Sequence, residues 1–437
     1  MNFNTFNPSS KVIKKLQNWS SGQPITQSDT PVVGVFTACT EYEKLTENVV
    51  AGIRAEGASS FVFSVPYFGY ANKINPMTAK FSQSFRDFSK RTAHAIIKTN
   101  MLDGAVIITD CDVTACGLLE GCIENNCPVV VLPVGKCHIA PVEGLGLPIT
   151  QIAGAVAGGK ITSADMEEII PREYMPKNQS DFFCLLEKIG LVVTGASRNR
   201  RASGAQIIAA HETGKLAGAN TREVVLPKKS FTKSTWQDVV DLCIGENLAL
   251  SNLELISHLF NAVDVKTPIE YIFERAAKLA TTADVRVTKM TGTAIGGIAY
   301  AQTLGERAPE FNGRAWVYQN LEDADHALCG GHIPPSSVVV LQNCAGQDVT
   351  AIANVILGMG REREIAIATD GVCEVSRVLC VQLCSPNSTQ NEEFANIQNG
   401  DELEIDVTRG RFNTDVLSKE IKIRQKRNTV KKPTMYF

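Results

Sequence analysis

Nowhere in the 437 residues does an apolar run approach the roughly 18 to 20 that a membrane-spanning helix needs. Charge of one sign is not in excess either. Against 43 Lys and Arg stand 46 Asp and Glu, a net charge of -3, so nothing points to nucleic acid or a membrane surface as partner. The opening residues, Met1 to Pro8, lack the basic start and apolar block of a secretory signal, and the expected compartment is the cytoplasm. The six histidines form no HExxH pair, and no serine sits in a Gly-x-Ser-x-Gly elbow. Gly154 to Lys160 nearly spells a phosphate-binding loop, but Ile161 stands where Ser or Thr must hold magnesium, so the segment reads as a helix end. There is no internal repeat and no low-complexity tract.

Cysteine, by contrast, is plentiful, at thirteen. In a reducing compartment a disulfide framework is not expected, and most of these thiols read as small buried hydrophobes. Cys116, Cys122 and Cys127 lack the paired spacing of a zinc site. Cys39, Cys111 and Cys373 stand apart because each falls in a turn just after a strand.

With 44% hydrophobic and 20% charged residues, the chain has room for two or three domains. Residues 1–30 read as a polar arm. From Pro31 strands alternate with helices, which predicts a parallel sheet with flanking helices over 31–283. Strands are expected at Val32–Phe36, Ser60–Val65, Ala105–Thr109 and Val129–Val134, with a helix at Lys90–Thr99. Residues 217–283 read as mainly helical. From 284 to 437 the texture becomes β-rich, with runs at Arg314–Tyr318, Val338–Leu341, Glu364–Thr369, Arg377–Leu383 and Leu403–Val407, punctuated by Gly, Pro and Asn. The fold class is α/β with a second, barrel-like β domain.

Leu102 to Gly135 carries the most chemistry. The apolar run Ala105 to Thr109 stops at Asp110-Cys111-Asp112, an amphipathic segment follows, and a second apolar run begins at Val129. Such strand–turn–helix–strand units place ligands beyond the carboxyl end of the first strand. A thiol and two carboxylates in that turn can hold a metal or move a proton.

These blocks, taken in order, resemble the dihydroxy-acid dehydratase and phosphogluconate dehydratase family. The turn after Asp110 resembles that family's Cys-Asp-Lys-Thr, with Val113 in place of the lysine. Pro31 to Tyr42 resembles its first strand and Trp-Ser-Glu-Leu-Asn turn. Ala153 to Thr162 resembles the helix ending Ala-Gly-Lys-Ile-Ser. Phe311 to Tyr318 and Ile333 to Leu341 resemble the start of its carboxyl-terminal domain, Thr369-Asp-Gly its Thr-Asp-Gly-Arg-Phe-Ser-Gly motif, and Asn399 to Val407 its closing strands. The chain is shorter than typical members, chiefly in the middle.

The resemblance implies a two-iron cluster on three cysteines, a magnesium ion on two glutamates, an aspartate and a modified lysine, and a serine as base. Carried over residue by residue, few of these survive. The first cluster cysteine falls at Leu45, the second is Cys111, and the third falls near Glu173. For magnesium, Asp112 remains, while the other positions hold Val113, Tyr70 and Asn354; the serine aligns with Glu374. The family's cluster and magnesium are therefore expected to be absent, with a different metal on Cys39, Cys111 and Asp112 as the alternative. Glu374 is the candidate base, with Asp112 and Cys111 beside it as catalytic residues. Thr40, Glu41, Thr114, Thr369, Asp370 and the basic pair Arg200 and Arg201 are candidates for holding a small substrate. The expectation is a divergent lyase or isomerase, homodimeric as the family is. The competing expectation is a non-catalytic member that binds a ligand or partners a true dehydratase.

Overall fold

The computed structural model describes residues 31–38, 43–66, 81–134, 149–165, 177–197, 203–220, 259, 285–304, 310–345, 347, 349–373, 376–383, 392–417, 419–421 and 423–424. Strands β1 (Val32–Thr37), β2 (Ser59–Ser64), β3 (Gly104–Thr109) and β4 (Val129–Pro133) form an all-parallel sheet in the order β2-β1-β3-β4. The expected strands differ from these by one residue at one end, or at both ends for β2. Every residue of β1, β3 and β4 is buried, which is why their sequences are near-continuous apolar runs.

Alternate residues of those strands face opposite layers. Val33, Val35, Val106 and Ile108 pack under helices α1 (Glu43–Ala55) and α6 (Ser203–Asn220). Val32, Phe36, Ala105 and Ile107 pack under α2 (Ser82–Asn100), α3 (Asp112–Glu124) and α5 (Lys177–Lys188). Helix α2 is longer than the expected Lys90–Thr99. Its first turns hold Ser82, Arg86 and Ser89 as their buried residues, which hid them from an apolar-period reading. Helix α3 is buried from Asp112 to Ile123, as a helix covered on all sides must be. Most of 217–283 lies outside the described residues.

The second half is a closed barrel. Its strands are β5 (Val285–Gly292), β6 (Ile295–Leu304), β7 (Glu310–Tyr318), β8 (Ser337–Leu341), β9 (Ile365–Thr369), β10 (Cys380–Leu383), β11 (Glu402–Asp406) and β12 (Arg411–Thr414), closed in the order β10-β6-β5-β12-β11-β7-β8-β9. All five expected runs fall in it. The sequence reading missed β5, β6 and β12, whose Gly, Thr and charged residues break the apolar alternation. It also missed α7 (Leu321–Cys329) and α8 (Thr350–Met359), two helices within this β-rich half. These helices are the crossovers that let β7, β8 and β9 run parallel. Between the halves, the short helix α4 (Ile152–Ala157) packs on α8. Tyr300 and Val287 of the barrel share an apolar cluster with Phe182 and Leu186 of α5.

Candidate active site

The strand order reverses direction between β1 and β3, and open parallel sheets bind ligands beyond the carboxyl ends flanking such a reversal. The two turns there are tied at the backbone. Ala38 donates its N–H to the Ile108 carbonyl at 3.2 Å, and Val134 donates to the Thr109 carbonyl at 3.1 Å. Cys39, Thr40 and Glu41 follow Ala38 in sequence but lie outside the described residues, as do Arg200, Arg201 and Glu374.

After β3 the chain turns on a local hydrogen bond, the Cys111 N–H donating to Thr109 Oγ1 at 3.1 Å. Cys111 then caps α3 in an extended conformation, and its carbonyl accepts from the Ala115 N–H at 2.9 Å. Asp112 opens the helix, where a carboxylate suits the positive end of the helix dipole. Its Oδ1 accepts from the Val113 N–H at 2.8 Å. Cys111, Asp112 and Thr114 are all buried, so the structure brings three of the expected site residues to one helix start. Burial pushes the Cys111 thiol up to about 12, and the Asp112 charge adds to the rise, while the Thr114 hydroxyl and amide oppose it. At neutral pH this sulfur keeps its proton, which argues against the thiolate needed for nucleophilic attack.

A second group sits at the carboxyl end of β9. Thr369 Oγ1 accepts from the Gly371 N–H at 2.8 Å, repeating the Thr109–Cys111 turn. The Asp370 carboxylate accepts from the N–H groups of Asn343 at 3.1 Å and Cys344 at 2.9 Å. Asn343 has φ 62, a left-handed conformation that this carboxylate helps hold. Asp370, expected as a substrate contact, thus staples two strand-end loops together. A cleft of about 610 Å³ between Asn312, Arg314, Pro335, Glu402 and Asp415 lies by the amino end of β8, away from these motifs. The strand-end chemistry outweighs it as a site.

Two buried polar groups escaped the sequence reading. Glu120 on α3 lies 3.5 Å from Arg86 Nε and 3.4 Å from Lys90 Nζ, with the Cys116 thiol 3.6 Å away. Its only sequence signal is an acid set among apolar residues in the middle of the helix. Gln302 and Gln382, isolated in apolar strands, meet in the barrel wall at 3.0 Å. Among the described residues, no group of three His, Cys, Asp or Glu is placed to hold a metal ion, and no helix is long and apolar enough to cross a membrane.

A parallel-sheet half with a Cys-Asp turn, joined to a barrel with a Thr-Asp-Gly strand end, defines a two-domain dehydratase class. Comparison with known proteins agrees. Residues 30–245 match the dihydroxy-acid/6-phosphogluconate dehydratase N-terminal family, and residues 274–437 match its C-terminal counterpart. The chain belongs to this family. Curated relatives named dihydroxy-acid dehydratase include those of Endomicrobium trichonymphae, 21% identical, and Ruminiclostridium cellulolyticum, 22% identical; each alignment covers 93% of this chain and 90% of the relative. A third, from Halothermothrix orenii, is 20% identical over 91% of this chain and 89% of its own length.

Proposed function

We propose that this chain is a divergent dehydratase-family enzyme, a hydro-lyase or isomerase acting on a small hydroxy- or amino-acid-like substrate, and not dihydroxy-acid dehydratase itself. The observation that carries the reading is the Cys111–Asp112 helix start at the strand-order reversal, in a chain that spans both family domains. Against the parent reaction stands the donor set. Leu45, at the first cluster position, is core hydrocarbon packed with Val49 and Ile53, and Val113, at the modified-lysine position, is buried too. One thiol and one carboxylate at the described positions do not fit a two-iron cluster or the family's magnesium site. The proposed chemistry uses neither group.

In this reading Glu374 removes the proton beside the substrate carboxylate, the electron pair forms the double bond, and the β-hydroxyl leaves as water. Asp112 orients the substrate. A Cys111 thiol pushed up to about 12 is too weak an acid for most acceptors but donates downhill to departing hydroxide, a far stronger base than the thiolate it leaves. Arg200 and Arg201 pair with the carboxylate. The test is exchange of substrate α- or β-protons with deuterated water over a panel of hydroxy and amino acids. Glu374→Gln is expected to slow exchange about 10²-fold or more; an unchanged rate eliminates it as base.

One observation favours the non-catalytic alternative. Both Asp370 and Asp112 give carboxylate oxygens to backbone N–H groups, as turn-building residues do. Binding of a panel compound with no exchange or turnover would decide for that reading.

A further inference from the structure

Polar side chains line one outward face of the barrel where the neighbouring positions are apolar. Strand pairing sets Gln382 of β10 beside Thr369 of β9 on one side and Tyr300 of β6 on the other, with Gln302 one step along β6 opposite Cys380. Tyr300 belongs to the cluster that reaches α5, and Cys380 to the one beneath α7 and α8. Gln302 is 0% exposed and Gln382 2%, so both amides are out of water.

Their orientation follows from a backbone group that has no choice. The Cys373 N–H can only donate, and it faces Gln382 at 3.3 Å, so the atom there is the oxygen. Gln302 meets that same oxygen at 3.0 Å and must present its nitrogen. Among the described residues, the remaining Gln302 Oε1 is buried with no hydrogen-bond partner. Leucine or methionine would fill this volume without burying an unpaired acceptor, so packing gives no account of the pair.

We propose that Gln302 and Gln382 are positioning residues, an amide relay that fixes the backbone N–H of Cys373, the residue that precedes Glu374 in sequence. The purpose of the relay rests on the reading of Glu374 as base. Its existence does not. Gln302 orients Gln382, and Gln382 holds the backbone amide of Cys373.

The same substitution at the two positions has opposite consequences. Gln382→Glu keeps an oxygen able to accept from both donors. Gln302→Glu, equal in shape, removes the donor and sets two oxygens face to face. A role limited to packing or burial would penalise both new charges alike. The measurement is amide hydrogen exchange of the full chain by mass spectrometry over Gly371 to Val378. Gln302→Glu and the uncharged Gln302→Met are expected to speed exchange there by about tenfold or more, with β8 and β9 still protected. Gln382→Glu is expected to stay within about threefold of the parent. Equal loosening by both glutamates, or unchanged exchange over this segment in Gln302→Met, overturns the relay. Failure of the Glu374 reading shows separately, as proton exchange on substrate that Glu374→Gln leaves intact.

Discussion

Gly154 lies directly on the backbone of Val355: a methyl group added to the glycine would stand 2.0 Å from the valine carbonyl oxygen. The contact repeats from the other side, where a methyl on Gly358 would lie 2.0 Å from the Gln151 carbonyl. Backbone faces backbone, so neither helix can yield by turning a side chain. This crossing seats α4, which lies in the first half of the chain, against α8 of the barrel half.

Gly154→Ala is therefore expected to cost about 1–3 kcal/mol, the usual range for overpacking. Urea unfolding should show a lower midpoint at unchanged slope. A midpoint equal to that of the parent would mean the helices do not cross this closely.

The Cys111 thiol, raised to about 12 by burial and Asp112, is expected to resist alkylation. In the folded protein, iodoacetamide labelling of the peptide holding Cys111 should stay near zero from pH 6 to 9 and appear only in denaturant. Labelling at pH 8 as fast as free cysteine would put the thiolate back in play and revive nucleophilic catalysis.

Glu120 makes a pH-dependent contribution of predictable sign. Burial raises its pKa, and the Arg86 and Lys90 charges oppose that only in part. A carboxyl whose folded pKa exceeds its unfolded one binds its proton more tightly in the folded state. The contribution is thus fully present below the unfolded glutamate value, about 4.3, and is lost as pH rises through the folded pKa. Compared with Glu120→Gln, the parent should gain relative stability as pH falls from neutral toward that value. Paired urea midpoints at several pH values test this, and a difference that does not move with pH rules it out.

Homodimerisation, carried from the family, is expected to give twice the 47.3 kDa chain mass by light scattering at micromolar concentration. A clean monomer would count against the shared architecture.

Much of the first half was legible in the residues. Strands buried on both faces must be apolar runs, so β1, β3 and β4 could be placed from sequence alone, and the Asp110-Cys111-Asp112 turn stood out where one run ended. Barrel strands are harder to read. Their pattern is diluted where turns and solvent reach them, and β5 and β6 carry Thr, Gly and Lys within the strand.

What the sequence by itself determined, then, was the order of strands and helices in the first half, the resemblance to a dehydratase, and a thiol and carboxylate at one strand end. The tertiary structure alone decided what those polar residues touch. Asp370 meets amides 26 and 27 positions away, and Gln302 meets an amide 80 positions away. Such pairings depend on the register between strands distant in the chain, which no local pattern records. Burial of Glu120 was equally hidden, because it required α2 to settle on α3, close enough that a methyl on Gly117 would lie 2.3 Å from the Arg86 carbonyl oxygen.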